Sequence, residues 1–357
     1  MMRLVVALTP HGYGHAAQTL TVLRELCRRR PDIELHIATR VPQSWLAERL
    51  PHPFTYHAHA TDFGLVMHSP VQIDHAVSAR SYAALYRDRY RLLEEESEWL
   101  ARIAPDLVLA NVPWIPLLAA RRLELPAVAL CSLNWAGIYR HFYGALPEGP
   151  DVFAWLREGY ASARAFLRPQ PAMPMPELEQ VHDIGPLAER GRNRREALRA
   201  RLRLAAGVRL VLVALGGVGG RLPVERWPQS RDVCYLVEDA WRVTRADVFP
   251  IGRTGMPFLD LVASVDVVLG KCGYGTVAEC AVNGTPLLAI RREDGWPEDA
   301  PLSNWLQAHG RLAWIHRRQA ETGRFRDELE ALLAEPAPRP PEPTGVAEAA
   351  AALLALA

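Results

Sequence analysis

The segment Asp266-Val-Val-Leu-Gly-Lys-Cys-Gly-Tyr-Gly-Thr-Val-Ala-Glu279 carries the residues best suited to hold a ligand. An apolar run ends at Gly270, a glycine-rich turn follows, and the pattern predicts a helix opening at Thr276. Glycines let backbone N–H groups approach an anion closely, and the first N–H groups of a helix add about half a unit of positive charge. Gly273, Tyr274, Gly275 and Thr276 are therefore candidate phosphate contacts. Glu279, one turn further, is placed to accept from ribose hydroxyls. A nucleoside diphosphate fits that set. A plainer reading stands beside it: Thr276 and Glu279 form a capping box, satisfying each other's backbone donors and binding nothing.

The first apolar run leads into Thr9-Pro-His-Gly-Tyr-Gly-His15, at the end of a parallel strand where ligands are expected. His15 is the candidate general base, because an unperturbed imidazole titrates near pH ~6.5. His11, Gly12, Tyr13 and Gly14 are its companions on the acceptor side. His11 and His15 are four residues apart, but no Glu follows His11, so the zinc-protease motif is absent and no metal role is expected. A histidine that only ties down its own loop is the structural alternative. Leu215-Gly-Gly-Val-Gly-Gly-Arg221 lacks the G-x-G-x-x-G spacing of a dinucleotide fold, and no G-x-x-x-x-G-K-[ST] occurs, so neither NAD chemistry nor a P-loop kinase is favoured. This glycine-rich loop has the freedom to bring backbone amides to a diphosphate from the side opposite the Thr276 helix, and a flexible loop is the plainer reading. Glu293 in Arg291-Arg-Glu-Asp294, with Asp299 and Asn304, is placed to reach sugar hydroxyls, although any one of them also reads as a polar surface loop. Ser132, Asn134 and Trp135 follow another apolar run and line the first domain's side. Trp135 has a face to offer a sugar ring, though a core tryptophan is the commoner fate.

These residues need a scaffold, and the chain supplies a βαβ rhythm. Strands are predicted at 4–8, 33–38, 107–110 and 127–130, with helices at 15–30 and 43–50 and a long amphipathic stretch at 74–103. Pro169, Pro171, Pro174 and Pro176 predict a stiff linker. The rhythm then restarts, with a helix at 194–204 and strands at 210–214, 233–236, 265–269 and 287–290. The expected fold is α/β, with two doubly wound Rossmann-like domains facing across a cleft. Its boundaries are 1–168, a Pro-rich linker at 169–180, 181–335, and a Pro-rich segment with a terminal helix at 336–357. A formal net charge of +1, from 41 basic and 40 acidic side chains, argues against nucleic acid or an anionic membrane as the main partner. Five scattered cysteines form no Cys-x-x-Cys pair, so neither a disulfide framework nor a zinc site is expected. The N-terminus does not read as a signal peptide, and no apolar run approaches the ~18 residues that span a bilayer. A reduced, cytoplasmic protein that is not integral to a membrane is expected.

Three segments together resemble one lineage. His11-Gly-Tyr-Gly-His15-Ala, Gly270-Lys-Cys-Gly-Tyr-Gly-Thr-Val-Ala-Glu279 and Arg291-Arg-Glu-Asp294 look like the N-terminal glycosyltransferase-like region of plant L-arabinokinases and its free-standing bacterial relatives. More broadly the chain is similar to GT-B glycosyltransferases that use nucleotide-sugar donors. The resemblance implies that the second domain holds the donor, with Gly273 to Thr276 on the diphosphate, Gly216 and Gly217 flanking it, and Glu279 on the ribose. His15 would occupy the place of the base or acceptor contact. Asn304 falls at the asparagine of a Gln-x-x-Asn element whose glutamine position is Pro301 here. The implied activity is metal-independent glycosyl transfer from a UDP- or other NDP-sugar, a substrate rather than a cofactor, to an unknown acceptor. A non-catalytic nucleotide-sugar sensor and a nucleotide-sugar hydrolase or epimerase are the alternatives. The sugar-kinase half of the plant proteins has no counterpart in the sequence, so kinase activity is not expected.

Overall fold

The apolar runs become parallel strands. In the computed structural model, which describes residues 2–69, 72–216, 220–292 and 294–356, they are sorted into two sheets. The first contains β1 (Arg3–Leu8), β2 (Glu34–Ala38) and β3 (Thr55–His57). A small ribbon, β4 (Met67–Ser69) and β5 (Gln72–Ile73), interrupts the series. The first sheet then continues with β6 (Leu107–Asn111), β7 (Ala127–Leu130), β8 (Ala165–Pro169) and β9 (Val181–Ile184). Its order is β3-β2-β1-β6-β7-β8-β9, parallel throughout. The second sheet contains β10 (Arg209–Ala214), β11 (Val233–Val237), β12 (Val248–Pro250), β13 (Val267–Lys271), β14 (Leu287–Ile290) and β15 (Leu312–Ile315). Its order is β12-β11-β10-β13-β14-β15, again parallel. Strands β6, β7 and β14 are buried along their whole length, as expected for strands covered by helices on both faces.

Strand order reverses between β1 and β6 in one sheet and between β10 and β13 in the other. Chains leaving the carboxyl ends of adjacent strands diverge there, and the gap is where open α/β sheets take ligands. Each sheet therefore has its own switch point, and each locates candidate residues within its own unit.

The chain separates into two units. The first holds the chain up to His68, Ile73–Leu187 and the chain from Thr344; the second centres on Ala188–Pro343. The proline-dense stretch is not a linker. Pro169 closes β8, and the following segment inserts Met173, Met175 and Leu178 into the core before β9 pairs alongside β8. Proline's fixed backbone serves a packed connection here. The helix Gly345–Leu356 returns to the first unit and packs on the helix Gly14–Arg29. Its approach requires glycine: a Cβ on Gly345 would lie 1.9 Å from the Gly185 carbonyl oxygen. The amphipathic stretch at 74–103 is two helices, His75–Arg87 and Arg89–Ile103, divided at Asp88. Asp74 caps the first by accepting from the Val77 amide at 2.9 Å. Among the described residues, no helix is long and apolar enough to cross a membrane.

Candidate functional site

In the second unit, the turns after β10 and β13 meet at the switch point. The helix after β13 spans Tyr274–Asn283 and is capped by Gly273 in an extended conformation, with no side-chain hydrogen bond at the cap. The cap therefore supplies no side-chain acceptor to the first-turn N–H groups of Gly275 and Thr276. The approach is open, since a Cβ on Gly275 would meet no heavy atom within 4 Å. This helix begins two residues earlier than expected. Thr276 is thus its third residue rather than its cap, and the capping-box reading fails.

Lys271, at the end of β13, lies beside Gly216 and Gly273. A Cβ on Gly216 would lie 3.1 Å from its Cε and 3.5 Å from its Nζ, and one on Gly273 would lie 3.3 Å from its Cε. Glycine at 216, held at φ +80, leaves room for the lysine. Burial lowers the Lys271 ammonium to about 8, helped by the charge of Arg292 and opposed by Glu298 and Asp299. Glu279 remains partly exposed. Loss of water nevertheless raises its carboxyl to about 7, with Glu189 adding repulsion. One end of the site thus presents a cation with backbone amides, and the other an acceptor.

Beyond β14 lies a pair of enclosed carboxylates, Asp294 and Asp299. Both carboxylate oxygens of Asp294 and one of Asp299 are enclosed without a hydrogen-bond partner among the described residues. Arg292 Nε is 3.8 Å from Asp299 Oδ1, an ion pair too long for a hydrogen bond. Burial pushes the Asp299 carboxyl up to about 6. Enclosed acceptors without donors suit a polyhydroxyl ligand. Asn304 is exposed on the helix Asp299–His309, and among the described residues no hydrogen bond ties it to Asp294 or Asp299. Gly217 and Glu293, both expected in the site, lie outside the described residues.

In the first unit, His15 sits in the first turn of the helix Gly14–Arg29, after β1, and Asn111 ends the adjacent β6. His15 Nδ1 and Asn111 Oδ1 are 3.0 Å apart. Asn111 Nδ2 donates to Thr19 Oγ1 at 2.9 Å, Gln18 Oε1 at 3.3 Å and the His15 carbonyl at 3.4 Å. Thr19's own hydroxyl proton goes to the His15 carbonyl at 3.0 Å. The amide orientation is thereby determined, and its oxygen must accept from Nδ1–H. The lone pair of neutral His15 then lies on Nε2, the tautomer a base requires. Cys131 Sγ approaches Nδ1 at 3.5 Å. Gly14 leaves the helix start open, since a Cβ there would meet nothing within 4 Å. Gly12 takes a positive φ of 71 in the turn, and Tyr13 stacks on Trp45 with ring centroids 4.8 Å apart.

Trp135 and Asn134 are structural. Both are fully buried. Trp135 donates its indole N–H to Asp62 at 2.9 Å and packs against the rings of His11 (5.2 Å) and His15 (5.9 Å). Burial raises Asp62 to about 7, while Thr9 and Trp135 favour its ionised form. Asn134 caps the helix Trp135–Tyr143 through the Gly137 amide at 2.7 Å and donates to Glu177 at 2.9 Å. His11 accepts from the Leu65 amide at 3.3 Å, which fixes it as part of the wall beside His15. Lys271 and Asn111 were not among the expected residues. Each had a signal: a polar side chain at the end of an otherwise apolar strand.

No family model matches the chain. It is 26% identical over 328 residues to L-arabinokinase of Arabidopsis thaliana, a match covering 90% of the chain and 31% of the relative, so the chain spans under a third of that protein's length. Among solved structures it is similar to CalG4, the calicheamicin glycosyltransferase, with a TM-score of 0.68 at 18% identity, covering 100% of this chain and 98% of that one. The glycosyltransferase VinC in complex with dTDP gives 0.61 at 14% identity, covering 100% and 99%. Phytolacca americana UGT2 with UDP-2-fluoro-glucose and pterostilbene gives 0.59 at 14% identity, covering 100% and 94%. The chain has the two-domain GT-B fold of these glycosyltransferases.

Proposed function

We propose that the protein transfers a glycosyl group from a pyrimidine nucleotide sugar to a hydroxyl-bearing acceptor. The observation that carries this reading is the convergence at the β10/β13 switch point: an open helix start with no side-chain cap, Lys271 beside Gly216 and Gly273, and Glu279 one turn on. Lys271 and the amides from Gly275 onward take the diphosphate. Glu279 accepts from the ribose, and Asp294 with Asp299 accepts from sugar hydroxyls. The pyrimidine assignment follows the dTDP and UDP-sugar bound by VinC and UGT2.

In the reaction, an acceptor oxygen attacks the anomeric carbon and the bond from that carbon to the diphosphate oxygen breaks. The electron pair leaves with the diphosphate, where positive charge and fixed amides stabilise it most. The acceptor proton passes to His15 Nε2, with Asn111 holding the ring. Asn111 is neutral, so it sets the tautomer without adding a charge to stabilise the imidazolium. Incubation with a panel of UDP- and dTDP-sugars, with and without alcohol and phenol acceptors, tests the reading. Nucleotide release that requires an acceptor supports transfer. Release without one indicates hydrolysis, and binding without release indicates a sensor.

A further inference from the structure

We propose that the second unit carries another ligand site, distinct from the donor cradle, which takes an amphipathic anion: an apolar body bearing a phosphate, sulfonate or carboxylate. A cavity of about 770 Å³ opens beyond the ends of β10, β14 and β15. That volume lies within the usual range for small-molecule sites. Its apolar lining is continuous with the core: Leu215, Leu222, Ile290 and Ala320 are buried members of the cluster beneath the sheet.

The charge around that lining is one-sided. Among the described residues, Arg221, Arg226, Arg317 and Arg324 line the cavity, against one acidic lining residue, Glu321. Two of the four are already paired. Arg317 bonds Glu321 at 2.9 Å, and Arg221 pairs with Glu225 and reaches the Trp241 carbonyl at 3.2 Å. Arg226 and Arg324 have no side-chain ion pair among the described residues. A chain with a net charge of only +1 thus lines one apolar recess with four arginines. Guanidinium forks match the oxygens of phosphate, sulfonate and carboxylate groups, and the recess matches an apolar body. Among the described residues, none of those assigned to the donor cradle lines this cavity.

The probe is 8-anilinonaphthalene-1-sulfonate, whose fluorescence rises on entering an apolar site, titrated into the full chain. Binding should weaken about tenfold or more in Arg226→Glu/Arg324→Glu, two exposed positions where the melting temperature should hold. Thr322→Trp, which fills the cavity from an exposed lining position, should also displace the probe. Arg87→Glu/Arg102→Glu, on helices of the first unit, should leave binding unchanged. Dodecyl phosphate and 1-naphthyl phosphate, as competitors, distinguish a lipid-like from an aromatic occupant, and displacement by either supports the site. Unchanged affinity in both cavity variants would overturn the proposal. So would displacement by inorganic phosphate as readily as by the amphiphiles. Displacement by saturating UDP would assign the cavity to the donor site and end the claim of a second one.

Discussion

Replacing Glu279 by Gln separates a ligand acceptor from a structural carboxylate, because the two roles move stability and binding in opposite directions. In the empty protein this carboxyl titrates at about 7, well above the 4.5 of an unperturbed glutamate. The folded state therefore holds more protons than the unfolded chain between those values. Stability is greatest below pH 4.5 and falls as pH rises to about 7, beyond which the loss is constant. At 1.36 kcal/mol per tenfold the full cost is roughly 3 kcal/mol, and partial exposure of the side chain reduces it to about 1–2 kcal/mol. Glu279→Gln carries no such cost, so it should be more stable than the parent by that amount at pH 8 and equal to it near pH 4. Urea unfolding at the two pH values measures this. For binding, the change removes a charged acceptor from the ribose hydroxyls, a loss of about 1.5–3 kcal/mol, or roughly 10- to 150-fold in Kd for UDP. Calorimetric titration at pH 8 reads it, and dUDP, which lacks the 2′-hydroxyl, should lose less. A variant that is destabilised at pH 8, or that binds UDP as well as the parent does, refutes the assignment.

Other expectations follow from the same geometry. His15→Ala should lower kcat about 10²- to 10⁴-fold and leave the donor Kd unchanged; equal losses in binding would remove the base role. Asn111→Asp places a negative charge beside His15 Nδ1 and should move the acid limb of the pH–rate profile upward, whereas an unmoved limb would separate the two residues. Lys271 loses its charge above pH 8, so the parent's UDP affinity should fall there while Lys271→Arg stays flat; the nucleotide's own titration cancels in the ratio. Asn134→Ala should cost about 1 kcal/mol of stability and leave kcat/KM untouched, since its bonds are spent on a helix start and on Glu177. A drop in kcat/KM without destabilisation would return it to the acceptor site.

Much of the scaffold was legible because central parallel strands are continuous apolar runs. Residues 127–130 and 287–290 were bounded as β7 and β14, and the helix expected at 15–30 is Gly14–Arg29. The sheet edge was not legible. In β9, Val181–Ile184, two exposed polar residues sit between the apolar ones, too short and mixed a pattern to register beside a proline cluster. The long helical stretch hid its break at Asp88, since charge continues across it. At the site, glycines and His15 announced themselves by spacing. Burial did not: nothing in Ser132-Leu-Asn-Trp135 distinguishes a ligand-facing tryptophan from one whose indole is bonded to Asp62, 73 residues away. Lys271 escaped notice because the glycines around it drew the reading, although they are the residues that give it room.

The central claim is that the helix start at Gly273 holds the diphosphate of a nucleotide sugar. Amide hydrogen exchange across 270–279, with and without saturating UDP, tests it most directly. Slowed exchange at Gly275 and Thr276, absent in Lys271→Ala at the same UDP concentration, is the expected result. Exchange there that is unchanged when UDP is bound, or the failure of every pyrimidine nucleoside diphosphate to bind, would contradict it.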